Sequence, residues 1–340
     1  FTLGASNNNN DHTLASVMYV AGGTVKCGQH LYFGNYNSAN TIDNFTIAGG
    51  YFNIYYVTPY GNTNPIFLNM NGGQMEFSSF YSSALLRPGA VFYMNFNGGT
   101  WHPTTGANAT LSAGTNRVSR LTVYEKGLTF DSDGFNNSTL ETTFQSAPGK
   151  GVWSVPLPEE VRTKRLIGAP TVTIAGDGAG ASAVALFDSR KGVVTNVVVT
   201  SHGWNYTTAT ASFRFRECLA CDDVTCGLQD NVRGKLTFVS PVNGRTMTLK
   251  TIDGGTNGFA GVCVKSGKLI AGTAGAIPEG VELNLEGGTL DMKANALVFD
   301  SLSGTGGTLQ GTATDGKLVV TTTNPGTGLK GVTFKDTAGT

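Results

Sequence analysis

The segment FYMNFNGGTWHP, residues 92–103, alternates its side chains up to Gly98-Gly99 and resumes with Trp101-His102. A glycine pair weakens a strand, because it costs backbone entropy and brings no side chain to pack. Its place at the centre of a strand-like run needs a structural reason. MYVAGGTVKC (18–27), FTIAGGYFNI (45–54) and FLNMNGGQMEF (67–77) share the arrangement. The first glycines stand at 22, 49, 72 and 98, and a fifth copy, LTVYEKGLTFD (121–131), carries a single Gly127. Self-similarity with a period of roughly 20 to 30 residues is the mark of stacked repeats.

Aligning the copies on the first glycine gives apolar columns. Met18, Phe45, Leu68, Met94 and, in the fifth copy, Val123 stand four places before it; Val20, Ile47, Met70 and Phe96 stand two before. Val25, Phe52, Met75 and Trp101 follow the pair, then Cys27, Ile54 and Phe77. Side chains alternate across a strand, so these columns share one face. They stack only if each copy lies above the last, as coils of a β-helix. The glycine pair then marks the bend between two strands of a coil, where positive φ or close backbone approach excludes a Cβ.

The pattern lapses between about 147 and 245 and returns in VCVKSGKLIA (262–271) and VELNLEGGTLDM (281–292), with shorter versions in GTGGTLQG (304–311) and TDGKLVV (314–320). The sequence therefore predicts three regions. Residues 1–146 are N-terminal coils, 147–245 an inserted β module holding a cysteine cluster, and 246–340 C-terminal coils. Within the insert, the proline-bearing stretch 146–165 reads as a crossing loop.

Composition narrows function. Charged residues make up 14% of the 340 and balance, with 23 Lys+Arg against 23 Asp+Glu. This argues against a nucleic-acid partner and against attraction to anionic lipid. No run of 18 apolar residues is present, so no helix of this chain is expected to enter a membrane. The chain opens on Phe1, which suggests a processed piece of a longer protein. ECLACDDVTC (217–226) lacks a nearby fourth zinc ligand, so at least one disulfide within Cys218, Cys221 and Cys226 is expected, and no metal or cofactor. No nucleotide loop, G-x-S-x-G elbow, H-E-x-x-H or D-T/S-G triplet occurs.

The stretch 267–311, GKLIAGTAGAIPEGVELNLEGGTLDMKANALVFDSLSGTGGTLQG, resembles the autotransporter-associated β-strand repeat. Residues 169–206 look like a glycine-rich module of large bacterial surface proteins. The resemblance implies a right-handed parallel β-helix displayed outside a bacterial cell, a passenger domain normally attached to a C-terminal β-barrel translocator.

Two sets of residues are candidates for chemistry. The outward column after the glycine pair holds Lys26, Asn53, Glu76 and His102, and Asp131 falls next if Gly127 replaces the first glycine. Glu76, His102 and Asp131 would form an exposed carboxylate–imidazole–carboxylate row able to do acid/base work, or simply a solvated face. The aromatics Tyr51, Tyr55, Tyr60 and Tyr81 suit sugar stacking or a protein partner. The reading is an adhesin-type surface protein that binds glycan or a mucin-like host glycoprotein. Its alternatives are a secreted hydrolase or lyase using surface carboxylates, including an acid protease, and a passive stalk. Oligomeric state is not set by the sequence.

Overall fold

The computed structural model describes residues 2–3, 16–33, 42–59, 65–77, 79–80, 90–103, 108–112, 118–132, 137–215, 218–219, 221–240, 245–311, 318–320 and 332–336. The described residues are nearly all β, with one short helix among them, Glu159–Thr163. Most strands fall into three sheets in which every described pairing is parallel. Sheet A, with twelve strands, runs from Thr2–Leu3 to Leu318–Val320. Sheet B, with six, spans Ser16–Val20 to Phe144–Gln145. Sheet C, with seven, spans Asn108–Ser112 to Thr333–Asp336.

Each strand pairs with its counterpart about one repeat later. In sheet B, Val20 opposes Ile47, Ile47 opposes Met70 and Met70 opposes Phe96, and all four are buried. In sheet A, Val25, Phe52, Met75, Trp101, Phe130, Phe238 and Val264 form one unbroken column. The three sheets share a single apolar core that continues from Val20 to Leu309. No single copy could bury such a face alone.

The glycine pairs make the turn from sheet B into sheet A. Gly50 and Gly73 have φ of 75° and 68°, and a Cβ on Gly73 would sit 2.6 Å from the carbonyl oxygen of Gly50 one coil below. Both demands, a left-handed backbone and backbone stacked on backbone, exclude a side chain.

The fifth copy departs from the sequence alignment. Val123 opposes Phe96, not Met94, and Leu121 takes the Met94 position. Beyond the turn, Thr129 still opposes Thr100 and Phe130 opposes Trp101. Two extra residues are thus looped out, and the buried Tyr124 at that turn bridges to Arg233. In the C-terminal coils the glycine turn moves to another corner. Ser266-Gly267 and Gly287-Gly288 lie between strands of sheet A (Gly261–Val264, Val281–Leu285) and sheet C (Lys268–Ala271, Thr289–Asp291).

Between Phe144–Gln145 and Lys235–Val239 the chain forms antiparallel pairs with their own core. Thr171–Gly176 pairs with Ala209–Phe215, and Ala179–Asp188 with Val193–Trp204. The stretch read as a crossing loop is instead the strand Lys150–Ser154, paired with Gly227–Asp230, and the short helix. Val152 and Val161 are fully buried and fix both to the module core. Lys235–Val239 already belongs to sheet A, so the coils resume about ten residues before the predicted position 246.

The module lies on the outer face of sheet B. Asn44 Nδ2 donates to Thr200 Oγ1 at 3.1 Å, and Asn69 Nδ2 to Ser182 Oγ at 3.4 Å. Asn71 Nδ2 donates to the Thr200 carbonyl at 3.0 Å. Tyr93 meets Trp204 edge-on at 5.4 Å, and the Arg120 guanidinium lies 4.0 Å over the Trp204 ring. Asn44 and Asn69 are almost completely buried, which is tolerable only because polar partners are supplied.

Candidate functional site

The parallel register of sheet A sets the candidate row. Lys26 opposes Asn53, Asn53 opposes Glu76, and Glu76 opposes His102. Asp131 follows on the next strand, with His102 Nδ1 3.8 Å from its Oδ2. Asn53 Nδ2 donates a short hydrogen bond to Glu76 Oε2 and lies 3.4 Å from the Tyr51 hydroxyl. Five successive parallel strands of sheet A therefore place Lys26, Asn53, Glu76, His102 and Asp131 side by side, with Tyr51 bonded into the row.

The row is not freely exposed, as the sequence had suggested. The His102 and Asp131 side chains retain only 16% and 20% exposure. Beneath them Trp101 is buried, stacked at 4.6 Å on Phe77 and at 5.6 Å on Phe96. This rigid floor fixes the strand from which His102 projects. Burial, and then a hydrogen bond with Glu76, push the Tyr51 phenol above its ordinary range. Tyr51 is therefore a neutral donor at physiological pH.

The aromatic candidates separate. Tyr51 is half-buried, and Tyr55 is exposed, meeting Tyr56 edge-on at 4.4 Å. Tyr60 and Tyr81 lie outside the described residues. Sequence reasoning missed His30, Tyr32 and Tyr56. His30 stacks on Tyr32 at 4.9 Å and packs against Tyr56 at 5.0 Å, with its Nδ1 2.9 Å from Thr58 Oγ1. Burial lowers the His30 pKa and favours the neutral ring. A register shift between Cys27 and His30 re-aims this strand. The alternation of HLYF, with Leu31 and Phe33 buried, was the available signal that His30 and Tyr32 face outward. The outer face of sheet A thus carries a polar row and an aromatic cluster a few residues further along the same strands.

The predicted disulfide is not formed by Cys221 or Cys226; both are free thiols, as are Cys27 and Cys263. Topology explains this for the outer two members of the cluster. Cys218 opposes Phe215 whereas Thr225 opposes Thr210 on the same strand, a separation of about 17 Å at strand rise. A disulfide needs Cα atoms within about 7 Å. The Cys218 side chain is outside the described residues. Burial pushes the Cys226 thiol up to about 11, so it stays protonated in the module core. Among the described residues no three His, Cys, Asp or Glu side chains converge as metal ligands, and no helix is long and apolar enough to cross a membrane.

No family model, curated protein or solved structure matches the chain.

Proposed function

We propose that the three parallel sheets are the sides of one right-handed parallel β-helix, and that its outer sheet A face binds glycan. In this reading the protein is an adhesin-type passenger displayed on the outside of a bacterial cell, and its ligand is a glycan or a mucin-like host glycoprotein. The observation that carries it is the juxtaposition of the His30–Tyr32–Tyr55–Tyr56 cluster with the Tyr51–Asn53–Glu76–His102 row. Sugars are bound by apolar stacking combined with a few fixed polar groups, and this face offers both on a rigid support. The local likeness of 267–311 to a passenger repeat supports the extracellular setting.

A glycan array probed with the purified chain, followed by titration of any hit, tests the reading. Tyr55→Ala and Tyr56→Ala should each weaken binding. A lost ring contact of about 0.5–1.5 kcal/mol corresponds to roughly two- to twelve-fold in affinity. Retention unchanged in both variants would overturn it.

The approach of His102 to Asp131 at 3.8 Å, with Glu76 on the neighbouring strand, favours one alternative, a hydrolase using this row. Release of reducing ends or peptides that vanishes in His102→Ala, with binding retained, would assign it. Neither binding nor turnover would leave a stalk.

A further inference from the structure

Sheet B stops at Phe144–Gln145, and at that end lies a cleft of about 870 Å³. Its walls come from three sources: the last strand of sheet B, the chain leaving for and returning from the module, and the turns of the next two coils at 254–258 and 274–279. A smaller hollow of about 340 Å³ shares Arg120 and Gln145 with it, so Arg120 stands between the two. Each of the two is within the size range of small-ligand sites.

Arg120 is unusual in its surroundings. It is half-buried and packed flat on Trp204 at 4.0 Å. It donates to Gln145 Oε1 at 2.8 Å and to the Ser146 carbonyl, while its buried Nε has no hydrogen-bond partner. No carboxylate pairs with it among the described residues. Arg233, on the same cleft, is exposed and makes no hydrogen bond or ion pair with the described residues. A guanidinium drawn out of water without a counter-charge is costly, and a planar donor fork fits a carboxylate. The half-buried Arg120 and the exposed Arg233 on one cleft, neither ion-paired with the described residues, make an anion seat.

The remaining lining indicates what carries the anion. Gln145 and Glu279 offer hydrogen-bonding groups, and Ile277 and Pro278 an apolar wall. The strand edge is already closed. The Phe144 N–H donates to Asn257 Oδ1 at 2.8 Å, and its carbonyl accepts from Gly258 N at 2.7 Å. An extended peptide adding to sheet B would need those groups, whereas a sugar ring would not. We infer that this cleft binds an acidic saccharide, its carboxylate held between Arg120 and Arg233 and its hydroxyls by Gln145 and Glu279.

The site lies away from the outer face of sheet A and does not rest on the reading proposed for that face. Isothermal titration with trigalacturonate and with its methyl ester, which replaces each carboxylate by a neutral ester, tests it on the intact chain. Wild type should bind the acid and not the ester. Arg233→Gln, at an exposed position, should cost at least tenfold (about 1.4 kcal/mol), and Arg120→Gln should abolish binding. Circular dichroism melts check that Arg120→Gln folds. Equal affinity for acid and ester, no binding of the acid, or an unaltered Arg233→Gln would overturn the site. Tighter binding of hexaglutamate than of trigalacturonate would overturn its assignment to a saccharide.

Discussion

The N-terminal and C-terminal repeats use the same glycine turn between different pairs of sheets. In residues 16–145 the turn carries the chain from sheet B into sheet A; in residues 245–311 it carries it from sheet A into sheet C. The cores differ as well. Phe45, Phe52, Met70, Trp101 and Phe130 fill the first region, and Val264, Leu269, Leu285 and Leu290 the second. Sheet B ends where the module departs, and its outer face bears the buried Asn44, Asn69 and Asn95. The difference teaches that the outward residues, not the turn, distinguish the regions. A sheet whose outer face is asparagine-rich needs a polar cover, and the module supplies Thr200 and Ser182 for that purpose.

The largest effect should come from breaking the first region's core. Met70→Asp would bury an unpaired carboxylate between Ile47 and Phe96, at a cost of several kcal/mol. Stacked repeats lose stability mainly with their neighbours. Hydrogen exchange should therefore quicken from Asp43–Ile47 to Val91–Phe96, while Val281–Leu285 keeps its protection. Uniform loss across both regions would show one cooperative unit and remove the contrast between them. An unshifted, fully protected variant would contradict the register itself.

A smaller effect isolates the turn. Gly23 and Gly73 both have positive φ, but a Cβ on Gly23 meets nothing within 4 Å, while on Gly73 it meets the Gly50 carbonyl oxygen at 2.6 Å. Gly23→Ala should cost only backbone strain, about 1 kcal/mol. Gly73→Ala adds the collision with the coil below and should cost more, as read from urea-unfolding midpoints of the two variants. Equal losses would mean that stacking of backbone on backbone contributes nothing.

The repeat made the column of Ile47, Met70 and Phe96 legible, because a strict alternation placed them at one offset from a glycine pair. Asp131 was also legible, since the offset from Gly98 to Gly127 survives beyond the turn. Val123 was not. Two residues inserted before Gly127 shift the strand Arg120–Val123 while leaving Leu128–Asp131 in place, and their reason is tertiary: Tyr124 packs against the module, edge-on to His202 at 5.4 Å. The same long-range contact hid the Arg120 cleft, whose two arginines are 113 residues apart in sequence. His30 and Tyr32 were obscured by the register shift before them. The burial of Asn44 and Asn69 had no local signal, since the residues that cover them lie more than 100 positions away.

The mildest prediction concerns acid, and it separates the regions by pH alone. No histidine follows His202 in the sequence. His202 is held in the module by a hydrogen bond between its Nδ1 and the Val152 carbonyl at 2.9 Å, which fixes the proton on Nδ1. Its Nε2 accepts from Asn97 Nδ2 at 3.3 Å, and the Asn97 oxygen is taken by the Lys126 N–H at 3.1 Å. A second proton on His202 has nowhere to go. Burial lowers its pKa below the ordinary 6.5, with Lys126 adding to the effect and Glu125 opposing it. Above that value both folded and unfolded chains hold a neutral ring. Below it the unfolded chain takes up a proton that the folded chain refuses, so stability falls as pH drops through 6.5. In sheet C the buried Asp291 also carries a lowered pKa, but from a lower starting value. Burial works to raise its pKa, but bonds from Lys268, the Lys293 N–H and Gln310 hold it below 3.8. Its stabilising contribution is intact above 3.8 and is lost only as pH falls further. Hydrogen exchange at pH 5 should therefore quicken in Val193–Trp204 and leave Thr289–Asp291 protected. His202→Gln should flatten the slope of module stability between pH 7 and 5. A module that opens in acid with the slope unchanged in His202→Gln would move the acid sensitivity to another group and dissolve this distinction between the two regions.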